Sequence, residues 1–437
     1  MWSKIRQILL VILIGLSVFL SFQIWTTGVQ LRDPAPSGGT PLPASLTDRS
    51  FMEVFSPKKI IWHRNAIGRT LDINTFYTAE WLENYLPETS FGTIEQPERL
   101  SLSAYQDYLA NENWVEFIFD APIPFGLFED GFDDLPTDYK NRTFTHMIMK
   151  KNDPASTYFY DSDDQVLYQA EGSEYTEEMI DELLYSQEND MTDVEAFEVG
   201  GRFIYLPVNE QEIEYRDYLV ERLPNNLFVY QFFSDPSEID ARRSGNTTRY
   251  IDLTTEVKIN DSLNVLTYLR QRSDTEKMTL SERLISSYEM LNQIENWTDR
   301  VHYQGFIPAT NKVIFQRYVE GYPIYSYQQF ETVIEMTVVE GGLTSLQVPI
   351  RVAQTSLSLT GEKTKTLPSG EEILNQLKEI DQELTDIKDI RIGLTWTESE
   401  EDERVVHFEP DWYVETQNNW IEVDRFIEAQ EVSVNGF

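Results

Sequence analysis

The chain has 437 residues, and 35 Lys+Arg against 74 Asp+Glu leave a formal net charge of −39. Its apolar fraction of 41%, with 24 Phe, 23 Tyr and 9 Trp, can fill the cores of about three folded units at roughly 150 residues each. Such acidity repels phosphate backbones and excludes nucleic acid as a partner, while the absence of cysteine removes disulfides, thiolate nucleophiles and Cys-ligated metals.

The chain opens with Lys4 and Arg6 and then runs from Ile8 to Trp25 through 18 residues without a charge. At 1.5 Å per residue this nearly spans a hydrocarbon core of ~30 Å. No basic residue follows until Arg32, so the N-terminus is expected to stay in the cytoplasm. The exit, Ser21-Phe22-Gln23-Ile24-Trp25, lacks the small residues that signal-peptide cleavage needs. The expected order is a cytoplasmic start at 1–7, a transmembrane anchor at 8–27 and a linker at 28–47. Ser17 and Ser21 lie four apart on one face of that anchor. They would let a second helix approach closely, although serines also bond back to their own helix carbonyls.

Asp33 to Thr47, with four prolines and two glycines, reads as a spacer between membrane and ectodomain. Beyond the anchor 33 bases face 74 acids, a net −41 (the 35 of the whole chain less Lys4 and Arg6). An N-terminal α+β unit is expected over 48–190. It holds a helix at 101–110, a strand at 114–119, a hairpin turning at Asp161–Asp164 and a helix near 176–185. A β-rich unit is expected over 191–275, where Gly200-Gly201 marks a tight hairpin and Leu227–Phe232 reads as a strand. Over 276–437 two capping boxes, Thr279–Glu282 and Ser369–Glu372, each open a helix that strands follow. A helix laid on antiparallel strands is an α+β unit, and the pattern suggests two such repeats in tandem.

Chemistry-bearing patterns are sparse. Ser56-Pro57-Lys58-Lys59 matches S-x-x-K, but the partner motifs of serine acylases are missing. Asp161-Ser162-Asp163-Asp164 lacks the glycine and glutamate of a calcium loop and reads as an acidic turn. His63, His146, His302 and His407 are too scattered to suggest a metal site by spacing. No cofactor and no enzymatic activity are expected from these residues; a binding or regulatory ectodomain is.

Four stretches carry a resemblance. Pro57-Lys58-Lys59-Ile60-Ile61-Trp62-His63, the run from Trp114 to Phe125 (WVEFIFDAPIPF), the run from Arg317 to Tyr325 (RYVEGYPIY) and Leu367–Glu372 lie in the order found in the YycH family of Gram-positive bacteria. The chain resembles that family over essentially its whole length. The resemblance implies a non-enzymatic accessory of the WalK/WalR (YycG/YycF) two-component system. Its implied partners are the sensor histidine kinase WalK (YycG) and a YycI-like membrane protein, engaged through transmembrane helix contacts. It also implies a C-terminal part built like YycI. An envelope hydrolase, or an ectodomain that binds peptides or inhibits a protease by strand addition, are the alternatives.

Overall fold

The computed structural model describes residues 49–435 except 65–66, 72–80, 82–83, 86–89, 111–112, 152–153, 187–190, 234–238, 273–277, 358–362, 381–383 and 418. The apolar segment 8–27, with Ser17 and Ser21, and the linker lie outside the described residues. Among the described residues no helix is long and apolar enough to cross a membrane.

Two large sheets organise the chain, and their pairings are antiparallel with one exception. The first has ten strands in the order Arg202–Pro207, Thr192–Val199, Ile67–Leu71, Lys59–Arg64, Trp114–Pro124, Thr143–Lys150, Ser156–Asp161, Val166–Glu171, with Thr93–Ile94 and Glu98–Arg99 at the far edge. Trp114–Pro124 is buried along almost its whole length because both faces of the sheet are covered. Helix Leu102–Ala110 packs Tyr105 and Leu109 on one side. The other side is filled with phenylalanines: Phe125, Phe144 and Phe159 stand with ring centroids 4.9–5.2 Å apart. Each such pair adds about 1 kcal/mol beyond its area.

The second sheet has fourteen strands. One half runs from the edge strand Asp240–Ser244 through Val333–Val339 to Lys312–Val319. The other runs from Ile387–Glu398 through Val405–Thr416 and Arg216–Arg222 to Arg351–Ser356. They meet where Tyr322–Tyr325 pairs in parallel with Ile387–Glu398. The result is an α+β protein dominated by antiparallel sheet. Helix Leu280–Ile294 starts with both bonds of its capping box in place and buries Leu284 and Leu291. Helix Gly370–Ile380 buries Ile373, Leu374 and Leu377. Ser369 and Glu372 bond reciprocally at its start.

Three sequence expectations are corrected here. No separate central unit forms over 191–275: the Gly200-Gly201 hairpin closes the edge of the first sheet, and the strands from Asp240 to Arg270 continue the second. The two helix-plus-sheet units of 276–437 share one sheet instead of standing in tandem. Leu227–Phe232 lies in a helix, Asn225–Phe232, with Phe228 and Val229 buried. A short apolar run satisfies either period, and here Pro224 introduces the helix, which lies over Thr255–Asn260.

Candidate functional site

The seam between the two sheets collects charged side chains from segments far apart in sequence. Asp120, near the end of Trp114–Pro124, accepts from Arg391 Nη2 at 2.6 Å and from the Tyr318 hydroxyl at 3.2 Å. Arg391 also donates to Asp389 at 2.7 Å, and Lys58 Nζ donates to Asp389 at 2.6 Å. Lys58 and Asp120 come from the first sheet's side, Asp389 and Arg391 from the second. The four alternate in sign and tie the sheets together. Burial pushes the Asp389 carboxyl up, but Lys58, Arg391 and Lys59 outweigh it and hold the group well below the usual carboxylate range. Burial brings Lys59 down to about 8.

A second cluster is centred on Glu116, which is wholly buried. The alternation of the strands places His63, Glu116 and His146 on the sheet face that helix Leu102–Ala110 covers. Tyr105 donates to Oε1 at 2.5 Å and Tyr205 donates to Oε2 at 2.8 Å. His63 Nε2 stands 2.8 Å from Oε2, and His146 Nε2 3.7 Å from Oε1. Burial alone pushes the carboxyl up, but His63, the charge of His146 and the Tyr105 hydroxyl hold it at about 2. Burial and the Glu116 charge push both phenols well up, so they stay protonated and donate. A cavity of about 70 Å³ runs from Tyr105 and Glu116 along the seam to Lys58, Asp389 and Glu415. A buried ion stays charged only when fully hydrogen-bonded, and Glu116 meets that condition.

The patterns singled out in the sequence fall apart or change meaning in the fold. Ser56 and Lys59 do not share a helix turn: Lys59 opens a strand and donates to the Tyr205 carbonyl. Ser56 Oγ instead lies 3.1 Å from His302 Nδ1 and also donates to the Glu53 carbonyl. Burial brings His302 down to about 4, and no carboxylate among the described residues is hydrogen-bonded to it. A nucleophile needs a base that a third group orients, so this contact bridges two segments. Asp161 caps its own turn through Asp163 and Asp164 N–H. Among the described residues no group of three His, Cys, Asp or Glu is placed to hold a metal ion.

Sequence spacing missed the hub at Glu116. A signal was present: Glu116 and Asp120 are the only charges in the run from Trp114 to Phe125, where a central strand should carry none. The same holds for Arg317, wholly buried in Lys312–Val319. Three of the four stretches that carried the family resemblance therefore converge. They supply Lys58, Asp120 and Tyr318 to the seam and His63 and Glu116 to the cluster beside it, while Leu367–Glu372 caps a helix elsewhere.

Fold and seam define a class, an α+β protein of two antiparallel sheets locked along a buried charged joint. Comparison with known proteins gives the family. The model of the YycH protein N-terminal domain matches residues 3–196, and that of the YycH protein C-terminal domain matches 202–431. The chain belongs to the YycH family. The crystal structure of YycH from Bacillus subtilis has the same fold, with a TM-score of 0.70 at 17% identity over 86% of this chain and 98% of that one. No curated protein matches the sequence. Family membership makes the chain a regulator in the YycG/WalK system.

Proposed function

We propose that the chain is a single-pass, membrane-anchored extracellular regulator of the sensor histidine kinase WalK. It acts with a YycI-like partner through contacts of its transmembrane helix. The observation that carries this reading is the match of the YycH N-terminal model from residue 3, which takes in the uncharged segment Ile8–Trp25 together with the ectodomain. A charge-free stretch of this length behind Lys4 and Arg6 has the physical properties of an anchor whose N-terminus stays inside. Ser17 and Ser21 form the small-residue face that a partner helix would meet. A regulator of this kind biases the kinase only through unequal affinity for its two signalling states.

The test is photocrosslinking in native membranes from positions 17 and 21 and from positions on the opposite helix face. Capture of the kinase and a YycI-like protein from the serine face alone is expected. Equal capture from both faces would remove the serines from the account. Capture of neither protein would remove the helix mechanism.

A further inference from the structure

We propose that the strand Asp240–Ser244 is a docking edge, onto which an acidic extended segment of a second protein adds as the next strand. The proposal goes beyond the anchor mechanism and does not depend on it. All five residues of this strand are exposed, and none of its neighbour Thr247–Ile251 is buried. A strand exposed along its whole length adds little to the stability of the sheet behind it, although Tyr250 of its neighbour packs against the core. Among the described residues Asp240–Ser244 pairs on one side only.

The backbone is set to receive a strand. Gly245-Asn246 is a two-residue turn with Gly245 at φ +58°, and Ser244 faces Thr247 across it. In such a hairpin hydrogen-bonded and non-hydrogen-bonded pairs alternate from the turn. Ser244, Arg242 and Asp240 therefore point their N–H and C=O groups inward, while Arg243 and Ala241 point theirs to the free edge. These outward groups are what an added strand would bond.

Charge selects the occupant. Residues 240–272 hold six Lys/Arg against four Asp/Glu, a net +2 in a chain of −39. Arg242 faces Arg249, and Arg249 faces Lys258, across three neighbouring strands. Like charges placed opposite each other are unfavourable, and Asp240 and Glu256 offset only part of this row. The side chains of Arg242 and Arg243 remain 73% and 66% exposed. A charged edge also keeps strands from pairing at random, but in so acidic a molecule that purpose calls for acids. A second copy is the wrong partner, because edge-to-edge pairing would set arginines against arginines.

The test uses the full-length chain in detergent micelles and a fluorescent, end-blocked peptide of alternating Glu and Val, with binding read by anisotropy. Saturable binding is expected, weakened about tenfold or more in Arg242→Glu/Arg243→Glu. Ala241→Pro should also weaken it, by removing an outward N–H. The unfolding midpoint should stay unchanged in both variants, since the strand buries nothing. No binding by the parent chain, equal binding of an alternating Lys and Val peptide, or full binding by both variants would overturn the proposal.

Discussion

Arg317 shows how much one side chain can hold in this protein. Its guanidinium donates to both Glu295 oxygens at 2.8 and 3.0 Å and to the carbonyls of Arg351 and Pro349, and it lies over the Trp297 ring. Removing one partner of a buried pair leaves the other charge stranded. Arg317→Met should therefore cost about 3–5 kcal/mol, seen as a lower urea midpoint, and adding Glu295→Leu should recover part of the loss. An unchanged midpoint would mean that the pair contributes nothing. Glu116 makes a pH prediction. Its carboxyl lies below the ordinary 4.5, at about 2, so its contribution is complete above pH 4.5 and is lost as pH falls toward 2. That contribution is of order 3 kcal/mol. Glu116→Gln should flatten this acid limb of the stability curve, and a limb of undiminished slope would contradict the assignment. Neither residue could be paired from the sequence, since Glu116 reaches Tyr205 across 89 positions.

At the scale of elements, legibility followed the strength of local signals. The hairpin turning at Asp161–Asp164 and both capping-box helices are where their turn and cap residues put them, because those signals act over four residues. The segment Leu227–Phe232 had only apolar content, which does not choose a period. Gly370, the first residue of its helix, shows what local signals omit. A Cβ there would stand 2.2 Å from Leu206 Cβ on the first sheet's edge strand, so close approach of helix and strand requires glycine. Gly370→Ala should destabilise by about 1–3 kcal/mol in thermal unfolding. Leu206→Ala, which does not remove Leu206 Cβ, should leave most of that loss in place. A neutral Gly370→Ala would show that the helix can shift.

Across the whole molecule, composition and the helix-and-strand pattern made the α+β class legible, and the sheet membership of 191–275 was not. Pairing Ile67–Leu71 with Thr192–Val199 joins segments more than a hundred residues apart, and nothing in either announces the other. The seam is longer in reach still: Asp120 and Arg391 lie 271 positions apart. Because Lys58, Asp120, Asp389 and Arg391 lock the sheets, the two-sheet body should melt in one transition. Asp389→Asn, which strips the seam of a carboxylate bonded to both cations, should lower that transition or split it in calorimetry. An unaltered single transition would mean that the apolar contacts alone join the sheets.

Under the proposed function, control of the kinase rests on the anchor. The measurement that tests it replaces Ile8–Trp25 with an unrelated apolar helix in the full-length chain and follows phosphorylation of the kinase's response regulator in cells. Loss of control, with the ectodomain still folded and exported, is the predicted result. Control equal to that of the parent chain would contradict the anchor mechanism and move control to the two-sheet body.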